Sequence, residues 1–324
     1  MDFIKNVKKF IRCVRKSCSP FPEEIQLEVT NRCNFKCKMC PREKMNLPEK
    51  DMSIDTLDKI IKNLIRPYRF ILTGWGEPLL HPHFFEIVIK IREKFPSAKI
   101  DFTTNGILLD EKRIEKIIKT GISRISISID EINNTDYSKK ESFVHIESEK
   151  VIENVKNLIY KKGNKKFPII ILQPVIQKGG IKKLEGLIDF ASEFGIKEIH
   201  PIRIDNQLNT VERPSWEEEH LILQTIKKYG RKKNVKVKCV NDQNFIIRIA
   251  GHFDKFCLKL DNTVYITVDG KITPCCILRE YILGDVTEKP IVQIWQGHKM
   301  REFRKTKSKT ICKKCDALKY YYYQ

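Results

Sequence analysis

Short apolar runs and amphipathic stretches alternate along most of the chain. Alternating apolar and polar positions predict strands, whereas apolar residues repeated every three or four positions predict helices. The pattern predicts strands over residues 25–30, 70–73, 100–104, 125–130, 169–176 and 199–204. It predicts helices over residues 53–64, 83–94, 111–120, 149–162 and 184–194, the first capped by Ser53 and the third ended by Gly121.

Strands that alternate with helices predict a parallel sheet, since each helix carries the chain back to the same end of the sheet. We expect an α/β fold in which residues 23–235 form a partial (β/α)6 TIM-like barrel. Residues 236–324 predict a small C-terminal α+β domain, in which Asp269-Gly270 favours the tight turn of a β-hairpin. Active sites of such barrels lie at the C-terminal ends of the strands, so the loops that follow the strands form the candidate site.

Residues 1–22 precede the barrel and predict a basic amphipathic helix. Its apolar stripe consists of Phe3, Val7, Phe10 and Val14. Such a helix packs on its own domain, which we favour, or lies on an anionic membrane. We find neither an apolar run of the ~20 residues that span a bilayer nor a secretory signal, and therefore expect a cytoplasmic protein.

Composition adds two constraints. Lysine and arginine number 61 and acidic residues 41, which gives a net charge of +20. This charge suits nucleic acid, an acidic membrane surface or an anionic substrate, or simply a lysine-rich solvated surface. The cysteines number 11, and an odd count in a chain without a secretory signal favours metal ligation in a reducing compartment over disulfides.

Three of these cysteines lie within eight residues, directly after the first predicted strand. Cys33, Cys37 and Cys40 have the spacing C-x3-C-x2-C, so one loop can turn all three sulfurs towards a single centre. Iron-sulfur cubanes and structural zinc sites are normally held by four ligands, so three cysteines indicate a metal corner left open for another molecule. A zinc knuckle or a set of reduced structural thiols is the alternative.

This loop resembles the signature of the radical S-adenosylmethionine (radical SAM) enzymes. In that family three cysteines bind a [4Fe-4S] cluster, and the amino and carboxylate groups of SAM chelate its fourth iron. An electron, supplied by a donor such as flavodoxin or ferredoxin, cleaves SAM to a 5'-deoxyadenosyl radical that abstracts hydrogen from the substrate. Met39 stands where the family usually has an aromatic residue near the adenine, and a polarizable apolar side chain can also cover a flat ring.

The loop after the second strand, Gly74-Trp75-Gly76-Glu77-Pro78, resembles the family's G-G-E-P element, which receives the amino group of SAM. Gly74 and Gly76 would let the main chain come close to the ligand. Glu77 would complement the ammonium group or act through hydrogen bonds within the loop. A simple tight turn is the alternative.

The loops and strands that follow resemble further elements of the family's SAM pocket. The resemblance implies that Asn105 and Ser128, with Asp130 beside them, meet the ribose hydroxyls and the methionine carboxylate of SAM. The alternative is that polar side chains on such strands satisfy nearby backbone groups.

A second set of cysteines lies in the C-terminal part. Cys257, Cys275, Cys312 and Cys315 supply four thiolates, enough to saturate one metal centre. Their arrangement resembles the SPASM and Twitch extensions of radical SAM enzymes, in the shortened form that binds one auxiliary [4Fe-4S] cluster. Cys275 fits the family spacing from Gly270, which leaves Cys276 as a neighbour or an alternative ligand. A four-cysteine zinc ribbon is the alternative.

The sequence therefore predicts a radical SAM enzyme with one catalytic and one auxiliary [4Fe-4S] cluster. Its expected reaction is a two-electron oxidation of a small polar molecule or a sugar, because no additional peptide-recognition domain is evident. A peptide-modifying enzyme of the SPASM type is the alternative within the family. A zinc-binding protein without enzymatic activity, associated with nucleic acid through its basic patches, is the alternative from another class and the less favoured one.

Overall fold

A computed structural model describes residues 19–132, 148–204, 211–239 and 262–306, together with Cys257, Leu260, Cys312 and Cys315. The predicted N-terminal helix over residues 3–16 lies outside the described residues. Among the helices of the described part, none combines the length and the apolar character needed to cross a membrane.

Ten strands of the described chain form one sheet, in the order β10-β9-β8-β1-β2-β3-β4-β5-β6-β7. The strands that run parallel from β1 to β7 are β1 (Glu24–Leu27), β2 (Arg69–Ile71), β3 (Lys99–Thr104), β4 (Arg124–Ile127), β5 (Ile169–Leu172), β6 (Glu198–Ile199) and β7 (Lys236–Val237). The predicted parallel α/β sheet is confirmed. It also contains a seventh parallel strand, β7, that the apolar pattern did not predict.

The C-terminal strands extend the same sheet on the other side of β1. They are β8 (Thr263–Ile266), β9 (Lys271–Thr273) and β10 (Gly284–Asp285). Strand β8 lies parallel to β1, whereas β8, β9 and β10 are antiparallel to one another, as expected for a hairpin that turns at Asp269-Gly270. The division between residues 235 and 236 stays a prediction, but the hairpin is hydrogen-bonded directly to the barrel.

Eight α-helices have their bounds within the described residues. They are α1 (Ile54–Lys62), α2 (Phe84–Lys94), α3 (Glu111–Lys119), α4 (Ser148–Lys162), α5 (Ile181–Glu193), α6 (Trp216–Lys232), α7 (Ile291–Trp295) and α8 (His298–Thr306). The first five match the predicted helices. Ser53 caps α1 by accepting a hydrogen bond from the Thr56 amide at 3.1 Å, and Gly121, just beyond the end of α3, has a φ of +72°.

The two faces of the barrel strands differ in polarity. In β1 and β4 every second side chain, such as Ile25, Leu27, Ile125 and Ile127, is fully buried and apolar. Right-handed connections between strands in sequential order place all the helices on one face of the sheet, which is the face of these apolar residues. The opposite face lines the interior of the curved sheet. It carries mostly polar side chains, with Ile71 and Ile171 among them, whereas most parallel sheets are apolar on both faces.

Ser53→Ala is expected to lower the free energy of unfolding by about 1 kcal/mol, because the first-turn amide of α1 loses its side-chain acceptor. For a chain of this size the thermal midpoint should fall by about 2 °C. Ser53→Asp retains an acceptor and is the matched control. Equal midpoints for Ser53→Ala and the wild type would contradict the capping role.

Candidate functional site

The three early cysteines occupy the loop between β1 and a short 3-10 helix, Pro41–Met45. The Cys40 amide donates a hydrogen bond to the Cys37 carbonyl at 2.9 Å, and the Phe35 amide donates to the Cys33 Sγ at 3.5 Å. All three thiols are half-buried. The loop therefore folds back on itself and keeps its sulfurs out of the bulk solvent.

Electrostatics place the three sulfurs in one environment. Burial, followed by the charges of Cys40, Cys33 and Asp130, raises the pKa of Cys37 to about 12. Burial also raises the pKa values of Cys33 and Cys40. Three thiols that resist ionisation together need a bound cation to become thiolates, and metal coordination supplies that charge. The donor set therefore fits a thiolate-bound metal cluster.

The spacing of possible ligands distinguishes a cluster from a single ion. Among the side chains that the structure describes, no three His, Cys, Asp or Glu residues converge closely enough to hold one metal ion. A zinc ion needs all its ligands at one point, whereas a cubane binds each thiolate at a different iron atom and spreads them apart. A cubane therefore requires less close convergence of its thiolates than a single zinc ion does.

Residues directly before the cysteine loop form hydrogen bonds with residues 48–51, which follow it. The Asn31 side chain donates to the Pro48 carbonyl at 2.8 Å and accepts from the Lys50 amide at 2.7 Å. Arg32 forms a bidentate pair with Asp51, with N to O distances of 3.0 and 2.7 Å. The residue pattern alone did not single out these contacts, although Asn31 and Arg32 directly precede Cys33.

The glycine loop after β2 packs against the entry to the cysteine loop. A Cβ atom added at Gly76 would lie 2.5 Å from the carbonyl oxygens of Thr30 and Arg32, so only glycine allows this approach. The Glu77 amide donates to the Arg32 carbonyl at 2.8 Å. Two predicted site elements, the loops after β1 and β2, are therefore in direct contact.

The Glu77 carboxylate is buried, with 3% of the residue exposed. It accepts hydrogen bonds from the Leu79 amide at 3.1 Å, the Thr104 hydroxyl at 2.8 Å and the Asn105 amide at 2.7 Å. Burial raises its pKa to about 7 despite these donors. Glu77 was expected either to bind the ammonium group of SAM or to act through hydrogen bonds within the protein. These contacts favour the second role, because both carboxylate oxygens accept hydrogen bonds that join the loops after β2 and β3.

The remaining predicted pocket residues lie around these loops. Asn105 donates from its side chain to the Asn34 side chain at 2.9 Å, which joins the loop after β3 to the cysteine loop. Ser128 is half-exposed just beyond β4, and Met39 is half-buried within the cysteine loop. Asp130 accepts from the Val175 amide at 2.8 Å and from the Gln177 side chain at 3.3 Å, and burial raises its pKa to about 6.

The C-terminal cysteines lie at the end of the hairpin and near the core. None of the nine described cysteines forms a disulfide. Burial, followed by the charges of Cys276 and then Cys257, raises the pKa of Cys275 to about 12, which places these three sulfurs near one another. The Cys315 amide donates to the Cys312 carbonyl at 2.9 Å, so that pair lies on one turn.

A cleft of about 490 Å³ lies between the segment that follows Cys40 and the segment that follows Cys276. Its lining is mostly apolar: Pro41, Lys44, Met45 and Leu47 from one side, and Ile277, Leu278, Arg279, Glu280 and Tyr281 from the other. The volume lies within the range of small-molecule pockets. The segments that directly follow Cys40 and Cys276 therefore face each other across this cleft.

The sequence profile of the radical SAM superfamily matches residues 27–189, half of the chain. The chain belongs to the radical SAM superfamily. An iron-sulfur cluster-binding domain of the SPASM type matches residues 257–316. The protein is thus a radical SAM enzyme whose family uses a [4Fe-4S] cluster with SAM, and its SPASM region is of the kind that binds auxiliary iron-sulfur clusters.

Three known proteins illustrate the range of this superfamily. The probable GTP 3',8-cyclase of Methanococcus maripaludis is 29% identical over 280 residues, which cover 81% of this chain and 87% of that protein. SuiB of Streptococcus suis, bound to S-adenosylmethionine, has a TM-score of 0.72 at 16% identity and covers 98% of this chain and 76% of its own. BtrN, in complex with AdoMet and 2-DOIA, has a TM-score of 0.54 at 17% identity, with coverages of 91% and 93%. The two structures share the fold with this chain.

Glu77→Gln tests the cost of burying the carboxylate. Because burial raises its pKa from 4.5 to about 7, the folded protein binds this proton more tightly than the unfolded chain between those pH values. The free energy of unfolding of the wild type should therefore fall relative to that of the variant as the pH rises from 4.5 to 7, and change no further above that range.

Thermal unfolding midpoints measured anaerobically at matched pH values check this expectation. Glu93→Gln, at an exposed position of α2, is the control for loss of a surface charge. A difference between wild type and Glu77→Gln that is the same at every pH would contradict it.

Proposed function

We propose that Cys33, Cys37 and Cys40 hold the SAM-binding [4Fe-4S] cluster of this enzyme. The fold of their loop, the shared burial of the three sulfurs and the match to the radical SAM superfamily support this assignment. Bound there, the cluster and SAM would supply a 5'-deoxyadenosyl radical for hydrogen abstraction.

The residues around this loop are assigned to SAM binding and to its support. Gly74 and Gly76 let their loop pack on Glu28 and on the backbone before the cysteine loop. We assign the backbone of this glycine loop, together with Met39, Asn105 and Ser128, to SAM binding. In this proposal Glu77 is a positioning residue, because its carboxylate is occupied by donors from the loops after β2 and β3.

We further assign Cys257, Cys275, Cys312 and Cys315 to an auxiliary [4Fe-4S] cluster. The closeness of Cys257 to Cys275 and the single turn that carries Cys312 and Cys315 support this set. Cys276 remains the alternative to Cys275, since the two thiols are adjacent. An electron donor such as flavodoxin or ferredoxin completes the proposal.

The substrate that the geometry supports best is a small polar molecule, oxidised by two electrons. The observation that carries this proposal is the polar interior of the barrel. Side chains between the buried apolar residues of the strands include Gln26, Thr103, Arg124, Ser126, Gln173 and His200. A polar substrate can form hydrogen bonds with side chains of this face, whereas an apolar one cannot.

The relatives support the same class without fixing its member. The name of the Methanococcus maripaludis relative includes GTP, and BtrN is in complex with 2-DOIA. The peptide alternative draws support from SuiB, which has also been crystallised with the precursor peptide SuiA. The zinc-binding non-enzyme is not retained, because the chain belongs to an enzyme superfamily.

Replacement of Cys33, Cys37 and Cys40 by alanine is expected to lower the iron content from about eight to about four atoms per chain. Reductive cleavage of SAM should be abolished, because the iron that binds SAM is lost. Replacement of Cys312 and Cys315 is the matched comparison and should leave SAM cleavage measurable. Cleavage that persists in the first variant would contradict the assignment.

A substrate panel tests the proposed class. We expect sugars, aminocyclitols or nucleotides such as GTP to stimulate the formation of 5'-deoxyadenosine by the reconstituted enzyme at least tenfold over its rate without substrate, because binding in the polar interior places a C–H bond near SAM. Peptides encoded by genes next to the gene of this protein are the comparison. Stimulation by a peptide alone would favour the alternative.

A further inference from the structure

A second buried carboxylate, Glu28, lies between the glycine loop, residues 74–78, and the segment that follows Cys276. It follows β1 and is completely inaccessible to solvent. Its carboxylate forms an ion pair with the Arg279 guanidinium and accepts hydrogen bonds from the Trp75 amide at 3.3 Å and the Val268 amide at 3.4 Å. One carboxylate thus contacts the loop after β2, the loop after β8 and the segment after Cys276.

The side chain of Glu28 also explains Gly74. A Cβ atom added at Gly74 would lie 2.3 Å from the Glu28 Cγ and 2.6 Å from its Cβ. The glycine loop therefore rests on the aliphatic part of Glu28, while the Trp75 amide binds its carboxylate. A movement of Glu28 displaces the loop at two adjacent residues.

The C-terminal segment reaches the same loop by a second route. The Trp75 indole donates a hydrogen bond to the Cys276 carbonyl at 3.0 Å. Arg279, three residues later, has a side chain that is 11% exposed and lines the cleft between the segments that follow Cys40 and Cys276. Segment 276–279 therefore holds both the indole of Trp75 and the carboxylate beneath Gly74.

Loss of Arg279 alone is expected to destabilise the surroundings of Glu28 more than loss of both charges would. Removal of one partner from a buried ion pair leaves an uncompensated charge, which is strongly destabilising locally. Without Arg279, the Glu28 carboxylate would have to turn towards water or take up a proton, and either response alters its contacts with Gly74 and Trp75. The position of the glycine loop therefore depends on a cation that the C-terminal segment supplies.

We propose that Arg279 is a positioning residue for SAM, which it affects through Glu28 and the Gly74–Trp75 backbone. The inference rests on the assignment of the Gly74 to Pro78 loop to SAM. Because coupling between two sites is reciprocal, SAM should in turn stabilise segment 276–279. The affinity for SAM is thus linked to the segment that carries the C-terminal cysteines.

Arg279→Met in the anaerobically reconstituted holoenzyme tests this linkage. Equilibrium dialysis with SAM should give a dissociation constant about tenfold higher than that of the wild type, a typical size for coupled sites. Iron and sulfide contents should equal those of the wild type. Arg301→Met, in the exposed part of α8, is the matched control and should bind SAM like the wild type. Wild-type affinity in Arg279→Met with both clusters intact would overturn the proposal.

A double variant keeps the test decisive if Arg279→Met does not retain its clusters. Glu28→Gln combined with Arg279→Met leaves no unpaired buried charge, and its glutamine can still accept from the Trp75 amide. We expect the double variant to retain iron and to bind SAM more tightly than Arg279→Met does. If Arg279→Met does not retain its clusters, the dissociation constant of the double variant should be within a few-fold of the wild-type value. A double variant with intact clusters but with SAM affinity lowered tenfold or more would overturn the role of the charge pair.

Hydrogen exchange of the wild type provides a readout that needs no variant. SAM should slow the exchange of amides in segment 276–280, and Arg301→Met should show the same protection. If the wild type binds SAM but these amides are unaffected, the linkage is wrong and the assignment of SAM to the enzyme stands. A wild type with intact clusters that does not bind SAM would overturn both.

Discussion

The carboxylate of Glu77 is the contact on which the arrangement of the strand-end loops depends. It lies in the loop after β2, accepts hydrogen bonds from Thr104 and Asn105 after β3, and follows Gly76, which touches the backbone before the cysteine loop. Three loops are thereby held at fixed separations. Burial of the Glu77 carboxylate raises its pKa, so the ionised form lowers the stability of the fold. Such perturbed groups are common at functional sites.

The polar interior of the barrel is a related constraint. Gln26 donates to the Thr73 carbonyl at 2.9 Å, and the Thr73 hydroxyl accepts from the Thr103 amide at 3.0 Å. Arg69 lies 3.3 Å from Asp101 deeper in the barrel. Polar groups in such a place are costly unless paired, and here many pair with one another. The stability of the fold therefore comes from the apolar outer face, which leaves the inner face available for binding.

The sequence predicts the barrel well because strand and helix periods are local properties. The predicted strands extend further at their C-terminal ends than the observed ones. Residues 25–30 were predicted as a strand, whereas β1 spans Glu24–Leu27, because the alternation of side chains continues after the hydrogen bonds between strands end. Helix α6 carries a visible signal, the Ser215 cap before three glutamates, that the prediction missed. The partners of Glu77 and Glu28 could not be predicted, because they lie up to 251 residues away along the chain.

Two buried carboxylates thus serve different purposes at the same edge of the sheet. Glu77 accepts hydrogen bonds from neutral donors, the Leu79 and Asn105 amides and the Thr104 hydroxyl, and joins neighbouring loops of the barrel. Glu28 instead pairs with a guanidinium and joins the barrel to the C-terminal segment. Neutral donors fix a position but leave the charge poorly compensated, while a cation compensates it and makes the site depend on the segment that carries the cation. Under the proposed assignments, the second arrangement makes the position of the glycine loop depend on the segment that follows Cys276.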